Sequence, residues 1–284
     1  MKSLFFIDVH CHIDMCKNIE KRIENAREMG VKVIVTNGVN PENNMEILDI
    51  SSKYREVRCA LGIYPIDALK LSDDEIDKEI RFIKLNKDKI AAVGEVGLDF
   101  KEDLENKESQ SQQAVGYSLS LKLGNNCHSK LWGITPSLSN KDRQKAIFEK
   151  FVKLAEEINK PIIVHSRKAE KECIEILEKS RAKKVLMHCF SGKLSLAERI
   201  AKNGWYLSIP ANVKNSEHFQ KMAEIIDINN ILCETDSPYL HPDKNGENEP
   251  AFVIESYKKI AEIKKISLKE AAEKIKENYD RLFG

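Results

Sequence analysis

The sequence predicts an α/β fold, a single (β/α)8 TIM barrel, on three observations. Eight short apolar runs, many of them β-branched, recur along the chain; helical spacing fills most of the intervals; and side chains able to bind metal stand at the ends of several runs. The runs cover 4–9, 31–36, 57–62, 90–95, 161–165, 184–188, 205–209 and 231–235. They lack clean polar alternation, as strands covered on both faces do. Their starts lie about 20 to 33 residues apart except between the fourth and fifth, which fits one helix per crossover.

The elements follow in order. Gly30 and Gly204 each separate a helical stretch from the next run, where a residue able to take positive φ ends a helix. Ser72 with Glu75, and Ser267 with Glu270, each spell a capping box ahead of an apolar-periodic stretch. Another helix begins near Lys141. Before it, residues 104–139 are rich in Ser, Gln, Asn and Gly and read as an insertion between the fourth strand and the fourth barrel helix. Two readings of it stay open: a mobile excursion with little apolar surface to bury, or a lid that contacts substrate. No internal repeat beyond the βα alternation and no linker interrupts the chain, so residues 1–284 read as one barrel.

Composition sets limits on function. A chain of 284 residues is within the range of one barrel, which commonly needs roughly 250. The 46 basic and 45 acidic side chains nearly cancel, so no general electrostatic hold on nucleic acid exists and any such contact is local. Seven cysteines without a CxxC pair argue for reduced thiols and a cytoplasmic protein. Asp8 breaks the first apolar run too early for a signal peptide, and no run approaches a membrane span. We therefore expect a soluble protein with no membrane contact, and the sequence points to no obligate protein partner.

The chemistry begins with Asp8, His10 and His12, a D-x-H-x-H at the end of the first strand. A spacing of two puts both imidazoles on one side of an extended chain, where they either share a metal or are two satisfied polar groups. Glu95, His165, His188 and Asp236 each lie at or just beyond the end of another strand. In a closed barrel these ends converge on one rim, so four histidines and two carboxylates meet over the mouth and read as metal ligands. His128, His218 and His241 lack that context. Nitrogen and oxygen donors suit a pair of divalent ions, Mg, Mn or Zn among them, and such a pair supports hydrolysis of a phosphoester.

Together DVHCH (8–12), GEVGLD (94–99), IIVHSR (162–167), HCFSG (188–192), ETDSPYL (234–240), NEP (248–250) and NYDRLFG (278–284) resemble the TatD family of metal-dependent deoxyribonucleases, within the amidohydrolase-like superfamily. The resemblance spans nearly the whole chain. It implies that His10, His12 and Asp236 bind one metal, that His165 and His188 bind the second, and that Glu95 bridges the two. Asp236 and Glu95 are then the catalytic residues, Asp236 orienting or deprotonating the attacking water. Many related amidohydrolases place a modified lysine on the fourth strand; Glu95 there favours the TatD-like branch.

Arg167 is expected to contact a phosphate through its planar donors, with a surface ion pair as the competing role. Ser191 and Gly192 are further candidate donors, and Glu234 is expected to fix a histidine ligand or the attacking water. Tyr64 stands where many family members have the histidine of G-x-H-P, a phenol in place of an imidazole near the scissile phosphate. The resemblance implies a DNA substrate, cleaved as an exonuclease would from single strands or ends. Two alternatives stay open: an ester or amide hydrolase such as a D-aminoacyl-tRNA deacylase, and a non-catalytic metal-binding scaffold.

Overall fold

The computed structural model describes residues 4–101 and 139–284. Apart from Ser139, the expected insertion at 104–139, with Cys127 and His128, lies outside the described residues. All eight apolar runs are strands: β1 (Phe6–Cys11), β2 (Val31–Asn37), β3 (Val57–Leu61), β4 (Ala92–Gly97), β5 (Ile162–His165), β6 (Val185–Met187), β7 (Tyr206–Pro210) and β8 (Ile231–Glu234). They form one parallel sheet in sequence order, a nearly closed barrel. Every residue of β1, β4, β6 and β8 is buried, which explains why those runs show no polar alternation.

Four strands extend past the apolar runs, β2 and β7 by one residue and β1 and β4 by two. β1 carries on to Cys11 because its ladder with β2 continues to Thr36, and β4 carries on to Gly97, paired with His165. The polar residues His10 and Glu95 therefore lie inside strands, and an apolar-run criterion ends too early there.

Ten α-helices of the described residues wrap the barrel: α1 (Ile19–Glu28), α2 (Pro41–Lys53), α3 (Pro65–Ala68), α4 (Asp73–Leu85), α5 (Asn140–Glu157), α6 (Glu170–Glu178), α7 (Leu194–Lys202), α8 (Glu217–Ile225), α9 (Ile254–Lys264) and α10 (Leu268–Phe283). Both capping boxes are made, Ser72 with Glu75 on α4 and Ser267 with Glu270 on α10. Ser139 caps α5 through the backbone N–H of Asp142. Gly30 and Gly204 take positive φ at 83° and 76°. Each helix turns its apolar stripe inward; α5 buries Ile147, Phe148, Phe151 and Val152 against the strands.

The seam between β8 and β1 is closed differently from the other pairs. Near the mouth, Asp236 donates its backbone N–H to the His10 carbonyl at 2.9 Å and His12 donates to the Ser237 carbonyl at 2.7 Å. Asp8 accepts from the Thr235 backbone at 2.9 Å and from its hydroxyl at 2.5 Å. Deeper in, the Tyr257 hydroxyl of α9 serves both backbone groups of Ile7, accepting from its N–H at 3.0 Å and donating to its carbonyl at 3.1 Å. Buried backbone groups need such partners, so Tyr257 completes the sheet where the ladder stops. The six described cysteines are free, and no described helix is long and apolar enough to cross a membrane.

Candidate metal centre

Strand ends deliver the site. Alternation along β1 points His10 and His12 the same way, with ring centroids 5.1 Å apart. Glu95 comes from β4, His165 ends β5, and His188 directly follows β6. Asp236 lies two residues past β8 at φ 56°, in the left-handed region that Asp tolerates better than most residues. Gly97, at φ 145°, is required beside this group: a Cβ there would stand 2.0 Å from the His165 carbonyl oxygen.

Glu95 divides the cluster. Its Oε2 lies 3.5 Å from Nε2 of both His10 and His12, while its Oε1 lies 2.8 Å from His165 Nδ1 and 3.0 Å from His188 Nε2. Asp236 Oδ1 faces the first pair, 3.6 Å from His10 Nε2 and 3.7 Å from His12 Nε2. The His10 ring stacks on His188 at 3.8 Å. All six expected ligands are therefore brought together.

These residues fit metal ions. Three sets, His10 with His188 and Asp236, His10 with His12 and Glu95, and Glu95 with His165 and His188, each place their donor atoms within 4.8 Å of one another. Both ring nitrogens of His10 are buried without a hydrogen-bond partner, an expensive arrangement that a cation at Nε2 would relieve. His12 Nδ1 lies 3.0 Å from the Asn37 carbonyl; donating its proton there, the ring leaves the Nε2 lone pair aimed into the cluster. His165 Nε2 faces Asp99 at 3.3 Å and so leaves Nδ1 aimed the same way.

Burial and the neighbouring His188 lower the pKa of His10 to about 4, so it is neutral and free to ligate. Burial alone would raise Glu95, but His188, His10 and His165 overcome it and hold the carboxylate well below its usual range. Burial lowers His188 and His165, and carboxylates overcome it at both: Glu95 with Glu234 raises His188, and Asp99 with Glu95 raises His165. Burial pushes Asp236 up to about 6 against the opposing pull of His188 and His12.

A cavity of about 480 Å³ opens above the cluster, lined by His12, Tyr64, His165, Arg167, Asp236 and Tyr239 among others. Tyr64 and Arg167 both line it. Both are tied to Asp99: the Tyr64 hydroxyl donates to Oδ2 at 2.6 Å, Arg167 Nε donates to the same oxygen at 2.8 Å, and Arg167 Nη2 donates to the Tyr64 hydroxyl at 3.2 Å. Asp99 was legible only as the last letter of GEVGLD. Its position, four residues after Glu95 at a strand end, was the available signal.

Glu234 is buried, accepts from Ser208 at 2.6 Å and lies 3.7 Å from His188 Nδ1. Ser191 is exposed and does not line the cavity; Gly192 packs against Phe190 and Glu170. His218 faces the Phe190 carbonyl and His241 accepts from the Asp243 backbone, both away from the cluster.

A (β/α)8 barrel with this cluster over its mouth is that of a metal-dependent hydrolase, and comparison with known proteins places it more closely. The family model described as TatD related DNase matches residues 7–284, and the chain belongs to that family. An uncharacterized metal-dependent hydrolase of Methanocaldococcus jannaschii is 33% identical over 286 residues, covering 100% of this chain and 98% of its own length. The human deoxyribonuclease TATDN3 is 29% identical, covering 98% of this chain and 94% of its own. In fold, the crystal structure of an Escherichia coli TatD homologue matches at a TM-score of 0.80 and 23% identity, over 98% of this chain and 97% of that one.

Proposed function

We propose that the protein cleaves phosphodiester bonds of DNA with two divalent metal ions, working as an exonuclease on single strands or strand ends. The observation that carries this reading is the division of Glu95, whose two oxygens face different histidine pairs. His10, His12 and Asp236 would hold one ion, His165 and His188 the other, with Glu95 shared. Family membership and the human relative named a deoxyribonuclease support DNA as the substrate. A recessed cavity of about 480 Å³ suits a strand end better than a stacked duplex.

When bound, such ions polarise phosphoryl oxygens and acidify water. The chain's own residues do the rest. Asp236, which lines the cavity beside the cluster, accepts the proton of the attacking water. Arg167 presents its guanidinium to a phosphate oxygen, oriented by Asp99. Burial and the Asp99 carboxylate raise the Tyr64 phenol, which therefore stays protonated and gives its one proton to Asp99. Tyr64 thus positions neighbours and does not substitute for an imidazole acid. Glu234 places a carboxylate 3.7 Å behind His188, on the side away from Glu95.

The test is release of nucleotides from end-labelled single-stranded DNA by metal-stripped protein, with Mg, Mn or Zn restored one at a time and Glu95→Ala alongside. We expect release only with metal and none from the variant. Release by the variant would overturn the site; no release with any metal would overturn the DNA reading and turn attention to ester and amide substrates.

A further inference from the structure

The cavity has two unlike walls. Tyr64 and Arg167, bound to Asp99, make a polar wall over β3 to β5. Across the mouth, beside β1 and β8, the cavity is lined by Met15, Tyr239 and Leu240, exposed by 41%, 55% and 36%. Only four other large hydrophobic side chains of the described residues are comparably exposed, so this grouping at one rim marks a surface kept open for a ligand.

Tyr239 is held in place by its backbone. Its N–H donates to the Asp236 carbonyl at 2.9 Å, and its carbonyl accepts from Asn248 Nδ2 at 2.6 Å. Asn248 is fully buried and also donates to the Thr235 carbonyl at 2.8 Å, so the loop is anchored from beneath. The ring stands in solvent, 6.2 Å from the His12 ring, with its hydroxyl 3.7 Å from the Met15 sulfur. An aromatic face fixed beside a soft thioether and open to water suits a planar π ligand. Bases stack on such faces without regard to sequence.

We propose that Tyr239, with Met15 and Leu240, is the platform on which a nucleobase of the DNA substrate stacks while its phosphate lies at the His, Glu and Asp cluster. The assignment rests on the nuclease reading and names what binds beyond the phosphate. It follows from the division of the walls: anionic oxygens belong with Arg167 and the cluster, and the apolar rim, whose Tyr239 ring stands 6.2 Å from the His12 ring, matches the flat face of the base. Because stacking carries no hydrogen-bond code, the platform favours a base over no base and discriminates weakly among bases.

Calorimetric titration tests this on the full-length, Mn-loaded protein with deoxyadenosine 5′-monophosphate and with 2-deoxyribose 5-phosphate. We expect the wild type to prefer the nucleotide by about 5- to 100-fold, the range of one stacked base. Tyr239→Ala should bring that ratio close to one, Tyr239→Phe should keep it, and Met15→Ala should reduce it in part. A wild-type ratio of one, or the same ratio in Tyr239→Ala, overturns the platform. The titration requires no turnover, so failure of DNA cleavage and failure of the platform are read separately.

Discussion

Asp99 Oδ2 receives donors from Tyr64, His165 and Arg167, so one buried oxygen sets three side chains of the site. Removing its charge should loosen His165 and Arg167 together. Asp99→Asn is expected to weaken metal affinity about 10- to 100-fold, measured as the metal dependence of kcat/KM, with partial rescue by excess metal. Glu95→Gln and Asp236→Asn should each lower kcat by at least about a hundredfold without rescue, since they remove groups at the reacting centre. If Glu95→Gln keeps the wild-type metal dependence and kcat, the shared-ligand role of Glu95 is wrong. The six cluster residues were legible because each is a metal-binding type at or near the carboxyl end of a strand. Asp99 was not, because its importance lies in contacts to residues 64, 165 and 167, which no local spacing predicts.

Element ends obey local rules closely enough to be read in advance. Ser72 with Glu75 and Ser267 with Glu270 form their boxes because each cap satisfies helix-terminal N–H groups within a few residues of chain. Ion pairs between elements are less predictable. Glu56, in the connection from α2 to β3, accepts from Arg27 of α1 at 2.9 Å and from Arg55 at 3.0 Å. Arg27 first, and then Arg55, lower its pKa from about 4.5 to about 2 despite burial. A depressed carboxylate stabilises the fold above its unfolded pKa, and that contribution is lost as pH falls through the folded value. Glu56→Gln should therefore cost about 1 kcal/mol near neutrality, the arginines being exposed, and the difference should vanish as pH falls from about 4.5 toward about 2. Urea unfolding of both proteins across that interval checks it; a constant difference refutes the pairing as its source.

The barrel as a whole depends on how its last strand meets its first. Tyr257 stands in for ladder bonds at Ile7, the second residue of β1, at the end of the strand opposite the cluster. Tyr257→Phe strands a buried N–H and a buried carbonyl and should lower stability by about 2 kcal/mol in urea unfolding. Because the hydroxyl touches none of the cluster residues, kcat should be unchanged. A variant as stable as the wild type would show that the seam holds without this link.

Sequence alone determined the eight strands, their parallel alternation with helices, both capping boxes and the six residues that converge on the rim, because periodicity, caps and strand-end position are properties of short segments. Tertiary structure alone decided which oxygen of Glu95 faces which histidine pair, that Asp99 governs Tyr64 and Arg167, that Ser191 stands apart, and that Tyr239 faces the mouth on a buried asparagine. Those facts arise from side chains tens to hundreds of residues apart meeting in space, and the closure of the barrel, not any local preference, sets their distances.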